Sequence, residues 1–270
     1  MTVELDRFVA PDEPRPFSDQ TLVDVRAGRA TVIGDERGVA VVRDGELEVV
    51  VAREARGHGL GTALVTQALT PQAGAGPVPR LAWAHGDHPA ARALADRFEW
   101  RAVRTLLQLR ATIPATAPDV AVPEGFTLAP FRPGDGSPDE SDWLRLNAAA
   151  FAHHPEQGRM TLDDLRARES EPWFRADDLL LLRDAAGDLA GSCWLKVEDG
   201  TGEFYAVAVR PDLQGQRLGG VLMRAGTARL DGRGLEAAAL YVEGDNSPAL
   251  ALYRRSGFEQ HAIDVQYAAS

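Results

Sequence analysis

The sequence predicts an α/β protein made of two tandem copies of one unit, each a mixed, mostly antiparallel sheet flanked by helices, with the N-terminal copy truncated. Three observations predict it. First, Gln214-Gly-Gln-Arg-Leu-Gly219 lies 158 positions after Arg56-Gly-His-Gly-Leu-Gly61. The same separation matches, without a gap, Val49 with Val207, Val51 with Val209, Leu64 with Leu222, Gly86-Asp87 with Gly244-Asp245, Leu94 with Leu252 and Arg97 with Arg255. One register held from Val49 to Arg97 marks a duplication. Second, ATIPATAPDVAVP (111–123) is rich in Ala and Pro, has no helical or strand period, and reads as a semi-rigid connector. Third, 270 residues at 44% hydrophobic and 26% charged suffice for two domains with cores of their own. The expected division is 1–112, a linker over 113–123, and 124–270.

The second copy shows its elements in order. Residues 125–128 alternate like a strand and run into a Pro/Gly cluster over 130–138. Trp143, Leu146 and Ala150 share one helix face, and Thr161-Leu-Asp-Asp164 offers a capping-box start to another helix. Strands over 178–183 and 189–197 flank the turn Ala185-Ala-Gly-Asp188, and a third strand, 203–209, follows the turn Asp199-Gly-Thr-Gly202. A helix over 214–230, a strand over 238–243, a helix over 247–256 and a strand over 258–266 complete the unit. Few residues precede the first copy's meander, so its opening strand and helices are expected to be shortened or missing.

Composition narrows the function classes. A net charge of −11 argues against a protein that coats nucleic acid or an anionic membrane. The single cysteine, Cys193, excludes an internal disulfide and a cysteine-built zinc site, and it reads as a small buried strand residue. The acidic, Pro-punctuated start does not resemble a secretory signal, and Leu179-Leu-Leu-Leu182 is far too short to span a bilayer. A soluble, cytoplasmic monomer is expected. Of 29 basic residues only Lys196 is lysine, a bias best read as codon usage, although the lysine that remains is worth locating.

The strongest local signal is a strand, a Gly-rich turn and a helix, present twice. Glu46–Val51 leads through Arg53-Glu-Ala-Arg56 into Gly57-His-Gly-Leu-Gly61, and Val207-Ala208-Val209 leads through Pro211-Asp-Leu-Gln214 into Gly215-Gln-Arg-Leu-Gly219. Glycines let main-chain N–H groups converge at a helix start, which suits a pyrophosphate. No Gly-Lys-Ser/Thr follows, so this is not a P-loop, and neither turn spells the dinucleotide fingerprint. One such turn is a tight connection; two in register, each followed by strand, helix and strand, read as a binding device.

The pattern Arg/Gln-x-x-Gly-x-Gly/Ala after a strand, with Asn246-Ser-Pro-Ala249, Leu252-Tyr253 and Gly257-Phe258 further on, resembles the GCN5-related N-acetyltransferases. Phe151-Ala-His-His-Pro-Glu-Gln-Gly158, Glu171-Pro-Trp-Phe174 and Leu240-Tyr-Val-Glu-Gly-Asp-Asn246 look like a tandem branch of that family. The likeness covers nearly the whole chain, most specifically from Leu146 to Ala268. It implies acetyl transfer from acetyl-CoA, without a metal, to the cysteinyl amine of 1D-myo-inositol 2-(L-cysteinylamino)-2-deoxy-glucopyranoside, an amino-thiol pseudodisaccharide. It implies that the second copy holds acetyl-CoA through Val207, Ala208, Val209, Gln214, Gly215, Gln216, Arg217, Leu218, Gly219, Gly220, Asn246 and Ala249. The first copy would use Val49, Val50, Val51, Arg56, Gly57, His58, Gly59, Leu60, Gly61 and Thr62. The roles it assigns are base for Glu203 and acid for Tyr253, with substrate contacts at Asp19, Glu156, Lys196, Glu203 and Tyr241.

The chemistry agrees with those roles. Thioester aminolysis needs a neutral amine, a stabilised oxyanion and a proton for the departing thiolate. Glu203 opens the strand leading to the turn, and Tyr253 lies on the closing helix. Without the family each has a bland reading, a solvated strand end and a half-buried helix aromatic. Moving back 158 positions from Glu203 reaches Gly45, and from Tyr253 reaches Ala95, so the first copy is expected to bind CoA or act as a support, not to catalyse. Arg217 stands where the pattern expects glycine; a helical φ would tolerate it, whereas a crowding Cβ would weaken cofactor binding. His153-His154 lacks the partners of a metal site, and His85 and His88 read as ligand- or solvent-facing. Two other functions stay open, acetylation of another small amine or peptide N-terminus, and a non-catalytic CoA-binding sensor.

Overall fold

Val- and Leu-rich runs separated by Asp/Gly turns become antiparallel meanders in both halves of the chain. The computed structural model describes residues 5–9, 13–71, 77–114, 119–134, 136–152, 157–198 and 200–270. These form two compact units, Met1–Gln108 with Glu243–Asp245 and His261–Ser270, and Leu109–Val242 with Asn246–Gln260. Residues 261–270, read from the sequence as the end of the second copy, belong to the first unit.

The first unit contains α1 (Asp19–Arg26), β1 (Thr31–Asp35), β2 (Gly38–Arg43), β3 (Glu46–Val51), α2 (Leu60–Ala68), β4 (Leu81–His85), α3 (Pro89–Arg97) and the start of β5 (Arg101–Thr112). The chain's last strand, β11 (Glu259–Ala268), adds to it, giving the order β1-β2-β3-β4-β11-β5. β3 and β4 run parallel; β1–β2, β2–β3 and β4–β11 are antiparallel. An unpaired β4 edge would leave a row of open backbone groups. β11 satisfies it from Asp264↔His85 to Ala268↔Leu81, and Tyr267 packs into the core beneath. One face of the sheet buries Leu47, Leu64, Val65 and Trp100 under α2 and α3, and the other buries Val39, Val41 and Val50 under α1 with Phe8 and Phe17. Among the described residues α1 is the one α-helix before β1.

The second unit contains β6 (Thr127–Pro130), α4 (Asp139–Ala150), α5 (Leu162–Glu169), β7 (Leu179–Arg183), β8 (Leu189–Glu198), β9 (Thr201–Val209), α6 (Leu218–Asp231), β10 (Ala237–Glu243) and α7 (Ser247–Arg255). Its strand order is β10-β9-β8-β7-β6, with β9 and β10 parallel and the others antiparallel. Thr161 caps α5 with the expected reciprocal pair to Asp164. One face packs Trp143, Leu146, Leu165 and Trp194 under α4 and α5. On the other face α6 comes so close that a Cβ at Gly226 would lie 2.4 Å from Phe204 and 2.9 Å from Cys193 Sγ. Cys193 is fully buried, and burial pushes its thiol up, which leaves it inert.

Two element boundaries differ from expectation. α6 starts at Leu218, four residues after Gln214, because a 3-10 turn at Pro211–Leu213, an extended Gln214 and positive φ at Gly215 and Arg217 precede it. β5 runs through Thr112 into the connector-like stretch, and Ile113 is buried. Among the described residues, no helix is long and apolar enough to cross a membrane.

Candidate active site

The two Gly-rich turns have the same backbone. Arg56 and Gln214 are extended (φ −69°, ψ 156° and φ −62°, ψ 154°), and Gly57 and Gly215 follow at φ +80° and +81°. Gly59 and Arg217 then cap α2 and α6 in the left-handed region, at φ +81° and +63°. The helical φ entertained for Arg217 is therefore not what the structure has: arginine takes the glycine conformation, a strained one for a residue with a Cβ. The Arg56 Nε donates to Val51 O (3.0 Å) and the Gln214 Nε2 to Val209 O (3.4 Å), carbonyls 158 positions apart. In α2 the amide of Ala63 takes the carbonyl of Gly59 (3.0 Å), so the amides of Leu60, Gly61 and Thr62 point forward without helical acceptors. Such a turn can hold an anion.

Glu203 lies half-buried on β9 at the last rung of the parallel ladder, where Ala239 faces it. Among the described residues this ladder comprises Ala238↔Gly202 and Ala239↔Glu203, although β9 continues to Val209 and β10 to Glu243. The strands part directly after Glu203. The cause is a β-bulge: on β8, Trp194 faces Ala206 but Leu195 faces Phe204, so Tyr205 is an extra residue in β9. Phe204 points to the α6 face, where its ring meets Phe258 edge-on at 5.6 Å, so Glu203 points to the opposite one. Lys196 stands across from Glu203 on β8, with its Nζ 2.8 Å from Glu198 Oε2 and over the Trp173 ring at 5.5 Å. Trp173 and the bulged Tyr205 are tilted neighbours at 5.3 Å.

Tyr253 lies on α7 beside Phe258 (6.2 Å), on the α6 side of β9. Burial pushes its phenol up to about 12, so it stays protonated and able to donate. Asn246 caps α7, accepting the Ala249 amide at its Oδ1 (3.2 Å), and thus fixes where that helix starts. Tyr241 is exposed on β10. Asp19 is the first residue of α1. Glu156 and the His153-His154 pair lie outside the described residues.

The bulge corrects one expectation. Gly38↔Val51 and Gly191↔Val209 are equivalent rungs, but only the second meander contains an extra residue. Counting from those rungs, Lys196 matches Arg43 and Glu203 matches Glu46, not Gly45. The other side agrees, since Glu46 faces Leu81, which lies 158 positions before Ala239. The first copy therefore keeps a carboxylate at this rung. It is committed to structure: Glu46 accepts from Arg43 Nη2 (2.9 Å), Gln266 Nε2 (2.9 Å) and Trp83 Nε1 (3.3 Å). The first ladder also continues past it to Leu47↔Ala82 and Glu48↔Trp83, so its strands stay joined where β9 and β10 separate. Allowing a one-residue insertion in the repeat would have found Glu46 from the sequence.

A cavity of about 520 Å³ opens in the first unit. It is lined by every first-copy residue expected to hold a cofactor except His58, together with Glu13, Trp83 and His85. Its volume suits a drug-sized ligand. His85 is not simply solvent-facing, as its ring lies between Glu48 (3.4 Å) and Asp264 (3.2 Å). His88 caps α3, accepting the Ala90 amide at Nδ1 (3.1 Å), as Asn246 caps α7.

Strands that part beside a helix-start turn able to hold an anion make up the site, and comparison gives it a class. The Acetyltransferase (GNAT) family matches residues 141–258. A GCN5-related N-acetyltransferase from Sphaerobacter thermophilus shares the fold at TM-score 0.69 and 22% identity, over 91% of this chain and 84% of its own. A tandem GNAT protein from the clavulanic acid biosynthesis pathway does so at TM-score 0.67 and 17% identity, over 98% and 93%. Closer relatives narrow the class. Mycothiol acetyltransferase of Clavibacter michiganensis is 46% identical over 97% of this chain and 88% of its own length, and that of Kineococcus radiotolerans is 48% identical over 90% and 78%. The chain belongs to the mycothiol acetyltransferase family, a tandem branch of the GNAT acetyltransferases.

Proposed function

We propose that the second copy transfers the acetyl group of acetyl-CoA to the cysteinyl amine of 1D-myo-inositol 2-(L-cysteinylamino)-2-deoxy-glucopyranoside, forming mycothiol. The observation that carries this reading is the parting of β9 and β10 directly after Glu203. It frees the β10-facing backbone of β9 between Phe204 and Val209 to meet the thioester, and it leaves a carboxylate at the mouth of the gap. Family membership supplies the acceptor.

Acetyl-CoA fits the arrangement. The turn from Gln214 to Gly219 would hold its pyrophosphate on main-chain amides, the Gly220 amide being taken by Arg217 O (3.0 Å), and the amides of Val207 to Val209 would take the acetyl carbonyl. Glu203 removes a proton from the cysteinyl ammonium, and the free amine attacks the carbonyl carbon. As the C–N bond forms and the C–S bond breaks, Tyr253 gives its proton to the leaving sulfur, and the surplus proton on the new amide nitrogen passes through solvent to restore the phenol. Glu203 points away from α6 while the Tyr253 ring lies on the α6 side of β9, so base and acid would approach the reacting centre from two sides. Lys196, its ammonium already on Glu198, and Tyr241 are the groups of this unit assigned to the polyhydroxy acceptor.

The first copy has a matching turn and cavity but a zipped ladder, a sequestered Glu46 and Ala95 in place of the phenol. We assign it a CoA-holding or supporting role. Incubation with acetyl-CoA and the cysteinyl pseudodisaccharide tests the whole reading: CoA thiol should appear in step with acetylated product, and no release above background rejects it.

A further inference from the structure

Glu13 places its carboxylate on the arginine of the first copy's turn. Arg56 donates from Nη1 to Glu13 Oε1 (2.8 Å) and from Nη2 to Oε2 (2.7 Å), a two-pronged pair, and Arg53 Nη2 adds a contact to Oε1 at 2.8 Å. The Arg56 Nε is tied to Val51 O, so the end of β3 sets where the other two nitrogens are directed. In the second copy Gln214 makes the matching tie to Val209 O. Anchoring therefore needs only one donor, and the guanidinium brings two more to the mouth of a turn suited to anions. Glu13 is well placed to meet them. Pro14 lies against Gly86 so closely that a Cβ there would come within 2.4 Å of Pro14 Cγ. Glu13, Pro14 and Pro16 line the same cavity as Arg56, Gly57 and Gly59. The two arginines hold the Glu13 carboxyl down at about 2, so it is an anion at every ordinary pH.

We propose that Glu13 is a built-in counter-anion for the first copy's turn: it occupies the Arg56 donors that a pyrophosphate-bearing ligand would use, and the strap that carries it is an autoinhibitory latch on this cavity. The inference rests on the reading that this cavity takes CoA. The pair is partly exposed, Arg56 at 32% and Glu13 at 25%, so a ligand making several contacts can displace it.

Calorimetric titration of the full chain with CoA tests the latch. The first-copy binding phase is identified as the one that Arg56→Ala removes. Glu13→Gln and Glu13→Ala should each tighten that phase roughly three- to tenfold, or reveal one too weak to see in the unsubstituted chain. An Arg56-dependent phase of unchanged or weaker affinity in both variants overturns the latch while leaving the CoA reading intact. Absence of any Arg56-dependent phase in the parent chain and in both variants overturns the CoA reading and the latch together.

Discussion

Glu46 occupies in the first copy the rung that Glu203 occupies in the second, each facing a parallel partner, Leu81 or Ala239, at the same point of the repeat. What separates them is one residue, Tyr205, inserted on the turn side of the carboxylate. With it the strands part at the carboxylate; without it they stay paired two rungs longer. Duplication thus left two similar frames, and a single bulge distinguishes an open gap from a closed one.

A first expectation concerns Glu46 itself. Glu46→Ala removes the acceptor of three donors and should lower thermal stability by about 1–3 kcal/mol, with turnover changed less than about twofold. Thermal melts and steady-state rates on one preparation check it. A large loss of turnover with no loss of stability would mean that the first copy reacts too.

Tyr253→Phe should lower turnover by about 10²-fold and leave acetyl-CoA affinity nearly unchanged, because only protonation of the leaving sulfur is lost. Because burial pushes the phenol up to about 12, no alkaline limb from its ionisation should appear in the turnover profile below pH 10. A strong affinity loss at constant turnover would contradict the role.

Arg217→Gly relieves a left-handed cap and should stabilise the second unit by about 1 kcal/mol, read as a higher melting temperature. If the melting temperature falls, arginine contributes contacts there that outweigh its backbone strain.

His85 gives the first unit a pH dependence. Burial opposes its charge, but hydrogen bonds to Asp264 and Glu48 win and raise it to about 9. A raised folded pKa means that the stabilisation is complete below the unfolded value near 6.5 and is lost as pH rises through about 9. Loss of roughly 2–4 kcal/mol is expected across that window. Melts at pH 6.5 and 9.5 should therefore differ more for the parent chain than for His85→Gln; equal differences would remove the ion cluster as the cause.

Much of this was legible in the sequence because local rules carried it. The glycines of both turns, the Thr161–Asp164 box and the strand–helix order needed no tertiary information. The start of α6 was missed because Arg217 takes a glycine-like φ, which its side chain does not advertise. Glu46 was missed because an ungapped repeat cannot register a bulge. The docking of β11 on β4 and the contact of Glu13 with Arg56 join residues far apart in the chain, and no local pattern specifies such partners.

The most direct measurement is the pH profile of kcat/KM for Glu203→Gln with the cysteinyl pseudodisaccharide as acceptor. With Glu203 as the base, turnover at neutral pH falls by about 10²–10⁴-fold, the deficit narrows as pH rises and the acceptor amine deprotonates in solution, and acetyl-CoA affinity stays within about twofold. Turnover within threefold of the parent chain at neutral pH, with no such narrowing, would contradict the account.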